Sequence, residues 1–185
     1  MTKVLLDMDG VLVNFTKGMF DAFGMKDRTP EVTMYECFGT SVFPPKFHEM
    51  NEKCTREFWA NLEWWPDGKQ ILTLVESFFE QKDIYLLTCP MPNPESWTGK
   101  YEWVCKNLPE YSSRLIVTRN CKSILASDHN VLIDDKERNI EQFVSAGGRG
   151  ILVPRPWNFL RTVNTLDFIK GQLFDINPHP IGKII

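Results

Sequence analysis

Five short apolar runs, interleaved with stretches of helical spacing, do most to limit what this chain can fold into. They cover residues 3–6, 84–87, 115–117, 131–133 and 151–153, and they stop at Asp7, Thr88, Thr118, Asp134 and Pro154. Strands that are apolar throughout are buried on both faces, as parallel strands joined by crossover helices are. Between them, residues 67–81 carry Ile71, Leu72, Leu74, Val75, Phe78 and Phe79 at spacings of three and four after a Pro66-Asp67-Gly68 start. Asn93-Pro94-Glu95 supplies a cap and first turn for a helix to residue 104. Residues 137–146 form another, ended by Gly147-Gly148, and residues 164–174 a last one before a proline-containing tail. The pattern predicts an α/β fold, a doubly wound, Rossmann-like parallel sheet, in which ligands sit at the carboxyl ends of the strands.

One stretch breaks the alternation. Residues 14–65 hold 11 of the 23 aromatic residues and separate the first strand from the second by far more than one crossover helix. They read as a mostly helical cap, giving a core of residues 1–13 and 67–185 and a cap subdomain of residues 14–66. Most of its aromatics are expected simply to form the cap's own core.

Composition narrows the function. With 43% hydrophobic residues and a net charge of −3 over 185 residues, the chain can build a core and lacks the field that holds a polyanion. No stable nucleic-acid complex is expected, while a small anionic substrate fits. There is no apolar run of membrane-spanning length, and Asp7 and Asp9 interrupt the first apolar stretch, so neither a membrane span nor a secretory signal is expected. The five cysteines, Cys37, Cys54, Cys89, Cys105 and Cys121, are odd in number and form no C-x-x-C pair. Each reads as a small buried residue in a reduced, cytoplasmic protein. His48, His129 and His179 are isolated and show no metal-binding spacing.

The chemistry-bearing residues fall at strand ends. Asp7 and Asp9 are two apart and project to one side, with Cα atoms about 7 Å apart. One carboxylate can attack phosphorus in line while the other protonates the leaving oxygen, and Gly10 lets the backbone approach the bound group. The alternatives are a solvated strand-to-loop carboxylate pair or part of a calcium loop, and against the latter Val11, Leu12 and Val13 offer no side-chain oxygens. Asp134 and Asp135 put adjacent like charges at a buried sheet end, which a cation must balance. Beside Asp7 they make an oxygen-rich site suited to magnesium, although one of the two can instead cap the following helix. Thr88 and the amides after it can hold phosphate oxygens, and Lys122 can neutralise a moving phosphoryl group. A plain strand-end threonine and a surface lysine are the ordinary readings of those two residues. Gly147-Gly148-Arg149-Gly150 lies between a helix and a strand, the wrong order for a phosphate loop, and reads as a turn.

Taken in order, Asp-x-Asp-Gly, the strand-end Thr88, Lys122 and Asp134-Asp135 resemble the haloacid dehalogenase-like phosphohydrolase superfamily. The tract Lys122 to Asn139, the aromatic cap and Lys100-Tyr101-Glu102-Trp103-Val104 are similar to the 5′(3′)-deoxyribonucleotidases. The resemblance implies that Asp7 is the nucleophile forming an aspartyl-phosphate and that Asp9 is the general acid, then the base. It implies Mg²⁺ held by Asp7, the Asp9 carbonyl, and Asp134 or Asp135. Phosphate contacts fall to Gly10, Thr88, Cys89, Lys122 and Lys100, and Trp64 and Trp65 line a nucleoside pocket. The implied partner is a nucleoside monophosphate, and a homodimer is left open. Two departures stand out: Cys89 replaces the serine common in relatives, and the loop at Lys122 is one residue longer.

Two other readings compete. A phosphatase of the same superfamily acting on sugar phosphates or nucleic-acid ends would differ only in the cap, where Lys17, Lys26, Arg28, Lys46, Lys53 and Arg56 face a larger set of acidic residues. A net acidic cap disfavours nucleic-acid ends. A receiver-type phospho-acceptor module would carry its acidic pair after the first strand and its acceptor Asp after a middle one, the reverse of the order here.

Overall fold

The computed structural model describes residues 2–25 and 39–182. Lys26, Arg28 and Cys37, named above, lie outside the described residues, as do the cap's acidic Asp27, Glu31 and Glu36 and its aromatic Tyr35 and Phe38.

Five parallel strands form one sheet: β1 (Lys3–Asp7), β2 (Ile84–Thr88), β3 (Leu115–Val117), β4 (Asn130–Asp134) and β5 (Arg149–Leu152), in the order β3-β2-β1-β4-β5. The order reverses direction at β1, so the crevice at a doubly wound sheet's switch point opens at the carboxyl ends of β1, β2 and β4. Period-two alternation sorts the strand side chains into two clusters. Val4, Leu6, Ile84, Leu86, Val131 and Ile133 face α4 (Gly68–Phe78) and α7 (Thr165–Ile176). Leu5, Leu87 and Leu132 face Phe143 and Ile140 of α6 (Glu137–Ser145) and Leu125 of the turn Lys122–Leu125.

Boundaries moved where local chemistry overrode periodicity. The helix expected to reach residue 81 stops at Phe78, because Phe79 is extended and Gln81–Asp83 form a separate 3₁₀ turn. Asp67 does not cap α4, since its carboxylate is taken by Arg155. In α5 (Pro94–Asn107), Asn93 caps as expected, accepting from the Glu95 amide at 3.0 Å. The turn after α6 is confined to Gly147-Gly148, with φ +91° at Gly147, and Arg149 and Gly150 already belong to β5. A Cβ on Gly150 would come within 2.8 Å of Ile140, so glycine is what lets α6 close on that strand.

Between β1 and α4, the described residues form α1 (Phe15–Ala22), α2 (Phe47–Lys53) and α3 (Arg56–Ala60). The two ends of this segment meet, where the Trp65 amide donates to the Leu12 carbonyl at 2.7 Å and Asn14 donates to Glu63 at 2.9 Å. Of the four described cysteines only Cys54 is buried. The expectation of buried thiols fails at Cys89, Cys105 and Cys121, which sit on a loop, on the outer face of α5 and before a 3₁₀ turn. No described helix is long and apolar enough to cross a membrane.

Candidate active site

The register that pairs Leu6 with Ile133 brings Asp7 and Asp134 side by side at the ends of β1 and β4. The 3₁₀ turn beginning at Lys122 lies over that edge, and its ammonium donates to Asp7 Oδ1 and Asp134 Oδ2, at 2.6 Å each. All three side chains are buried. Lys122, ordinarily read as surface, is thus the cation that makes two buried carboxylates tolerable. Burial alone would lower its pKa; Asp134 and Asp7 outweigh that and hold it above the usual lysine value.

One cation is not enough for this cluster. Burial pushes the Asp7 carboxyl up to about 7, with Asp134 and Asp9 adding to the rise against Lys122. Asp135 is held well above the carboxylate range by burial first and by Asp134 and Asp7 next. One oxygen from each of Asp7, Asp134 and Asp135 lies within 4.8 Å of the others. Asp134 is fully committed: Oδ1 accepts from the Lys136 amide at 2.9 Å, both oxygens accept from Asn139, and Oδ2 accepts from Lys122. It therefore does not cap α6 in the ordinary way, since the N-cap position is Lys136. Asp135 is different: Oδ1 is buried without a hydrogen-bond partner. An excess of buried negative charge, hard oxygen donors and an orphaned carboxylate oxygen fit a magnesium ion.

A second ammonium serves the other carboxylate. Lys100, buried on α5, donates to Asp9 Oδ2 and, at 3.1 Å, to Thr88 Oγ1 at the end of β2. It lies 4.6 Å over the Trp59 ring. Asp9 Oδ1 is also buried without a partner. Gly10 has φ +81°, and a Cβ there would stand 2.5 Å from Asp135 Oδ2, so glycine is required twice over. Cys89 is partly exposed next to Thr88, and its thiol is raised, by desolvation first, against the lowering pull of Lys122 and Lys100.

The fold thus gathers Asp7, Asp9, Gly10, Thr88, Lys100, Lys122, Asp134 and Asp135, with Cys89 at the edge. It does not bring Trp64 to them: that indole donates to Asn107 at 3.2 Å and rests on Trp103. Trp65 faces Arg155 and Trp157 instead. Trp59, under Lys100, is grouped with Phe15, stacked on it at 5.1 Å and 5°, and with Phe58 on the edge of both. Sequence reading did not single out Arg155, Trp157, Asn158 or Phe15. The signal for the first three was Pro154-Arg155-Pro156-Trp157-Asn158, a polar and aromatic cluster at the carboxyl end of the fifth strand.

Residues 1–166 match the family model described as 5′ nucleotidase, deoxy (pyrimidine), cytosolic type C protein. A Staphylococcus aureus (strain Mu50) protein provisionally named 5′(3′)-deoxyribonucleotidase is 27% identical over 145 residues, 76% of this chain and 77% of that one. Among solved structures, a hydrolase from Streptococcus pneumoniae TIGR4 is similar with a TM-score of 0.53 at 13% identity, covering 89% of this chain and 97% of that one. L-2-haloacid dehalogenase from Xanthobacter autotrophicus gives 0.51 at 11% identity, covering 97% and 89%. At these identities the structural likenesses speak for the fold, and it is the same α/β fold.

Proposed function

The chain belongs to the cytosolic type C 5′-nucleotidase family and is a phosphoric monoester hydrolase acting on a small nucleotide, and on that premise we propose that it hydrolyses deoxyribonucleoside monophosphates through an aspartyl-phosphate on Asp7. The observation that carries this reading is the meeting of Asp7, Asp9, Thr88 and Asp134 around the two buried ammonium groups of Lys100 and Lys122 at one sheet end.

An Asp7 carboxylate oxygen bonds to phosphorus as the bond to the nucleoside oxygen breaks, and Asp9 gives that oxygen its proton. Asp9 then takes a proton from water, whose oxygen attacks phosphorus and releases phosphate with Asp7 regenerated. Lys100, shared between Asp9 and Thr88 in the free protein, turns to the incoming phosphate oxygens and frees Asp9 for proton transfer. Lys122 stays on Asp7 and offsets charge on the transferring group. Asp7, Asp135 and the Asp9 carbonyl would hold magnesium, with Asp134 orienting Lys122. When bound, the ion would neutralise phosphate charge and fix the group for in-line attack.

A nucleobase would stack beside Phe15, Phe58 and Trp59. Each such contact is worth about 1–3 kcal/mol. The segment of residues 14–66 that carries most of these rings acts as the cap on a core of residues 1–13 and 67–185.

Phosphate release from deoxynucleoside and ribonucleoside monophosphates and sugar phosphates, with magnesium and with a chelator, tests the proposal. Magnesium-dependent turnover favouring deoxynucleotides is expected. Faster turnover of sugar phosphates would discard the base pocket, and full activity of Asp7→Asn would discard the covalent mechanism.

A further inference from the structure

The segment that follows β5 is built around Asp135. Val153 donates to the Asp134 carbonyl at 2.9 Å, and Pro154 and Pro156 restrict the backbone on either side of Arg155. Asn158 is buried and closes the turn, its Nδ2 donating to the Asp135 carbonyl at 3.0 Å and to the Val153 carbonyl at 2.8 Å. The turn so fixed sends Trp157 Nε1 to Asp135 Oδ2 at 2.8 Å. The Trp157 ring is itself held edge-on to Trp65 at 5.4 Å, and Trp65 lies under the Arg155 guanidinium. On its other flank, Oδ2 is walled in by Gly10. One Asp135 oxygen is therefore spoken for, while the other is buried and unpartnered, in a carboxylate that belongs to the cluster with Asp7 and Asp134.

We infer that Trp157 is a positioning residue for the divalent-cation site: its indole N–H takes Asp135 Oδ2, which leaves Oδ1 as the oxygen presented to the ion. The inference rests on Asp135 being a metal ligand. Hydrogen-bond donors behind a ligand fix its orientation, and losing one typically weakens metal binding by about 10–100-fold. Indole is suited to the task because it donates and cannot accept, so it never competes for the cation.

The test is calorimetric titration of the full chain with magnesium alone, alongside steady-state kinetics. Trp157→Phe keeps the ring on Trp65 and removes the N–H. Its magnesium affinity should fall at least tenfold, with kcat recovered at saturating magnesium and KM for the nucleotide little changed. Trp157→His, which retains a ring N–H, should recover part of the affinity. Affinity within twofold of wild type in Trp157→Phe would overturn the inference, as would a lowered melting temperature with unchanged magnesium dependence. If Trp157→Phe does not fold, the indole ¹H–¹⁵N resonances of the wild-type protein take its place: one should move on magnesium addition, and none moving overturns the inference. Asp135→Asn separates the two levels. It should abolish magnesium binding; unaltered binding would remove the ligand assignment and this inference with it.

Discussion

Arg155 and Asp67 form a two-point ion pair, with Nη2 2.8 Å from Oδ1 and Nη1 3.0 Å from Oδ2. The same guanidinium donates through Nε to the Gly10 carbonyl at 2.5 Å and through Nη2 to the Val11 carbonyl at 3.3 Å. A single buried side chain thus ties the loop after β1 to the first residue before α4 and to the segment after β5.

Replacing Arg155 with Ala leaves two loop carbonyls and one half-buried carboxylate without a donor. The expected loss is about 3 kcal/mol, the lower end for breaking a buried pair, because Asp67 can still reach water. Arg155→Lys should recover less than half of that, since one ammonium cannot serve the fork and both carbonyls. Urea unfolding midpoints of the three proteins check this.

Lys122→Met keeps the volume and removes the charge between Asp7 and Asp134. A fall in kcat of at least about 10²-fold is expected, with the protein still folded by circular dichroism. A fall of less than threefold would contradict the role given to Lys122.

The aromatic assignments separate by substrate. Phe15→Ala should raise KM for a deoxynucleotide about tenfold, within the range of one lost stacking contact, and leave KM for a small aryl phosphate nearly unchanged. Trp64→Phe, which removes the bond to Asn107 from a ring packed on Trp103, should alter neither ratio. Parallel Michaelis curves on both substrates decide between them.

Gly10→Ala meets two penalties at once. A left-handed backbone costs about 1–2 kcal/mol for a residue with a Cβ, and the new methyl collides with Asp135 Oδ2. Thermal melts should show the first, and magnesium titration, weakened severalfold, the second.

Thiol reactivity should divide the cysteines. Hydrogen bonding from Ser123 holds the Cys121 thiol below its ordinary value, so its thiolate is present at lower pH. Burial pushes the Cys54 thiol up to about 12, so it stays protonated and inert. Alkylation at mildly alkaline pH followed by peptide mapping should modify Cys121 first and Cys54 only after unfolding.

The sheet was legible because buried parallel strands advertise themselves as unbroken apolar runs, and the reactive groups because each stands where such a run stops. Asp7, Thr88 and Asp134 follow from that rule alone. Lys122 needed the fold, since nothing in Asn120-Cys121-Lys122-Ser123 says that the turn is folded over two carboxylates. Trp64 misled because an aromatic between two strands looks the same whether it faces a ligand or, as here, Trp103. Phe15 and Trp59 become partners only when α1 and α3 pack together, a long-range event that local spacing does not encode. Trp157 and Arg155 were hidden by their place after the last strand, where the apolar run had already stopped at Pro154.

Gly99 is the point at which α3 touches α5: a Cβ there would stand 2.5 Å from both the Arg56 carbonyl and the Trp59 Cβ. The next residue along α5 is Lys100. The packing of α3 on α5 is thus joined, one residue on, to the ammonium that holds Asp9 and Thr88. Any side chain at residue 99 would wedge that seam apart and carry the disturbance one residue along the helix, to the ammonium on the floor of the pocket.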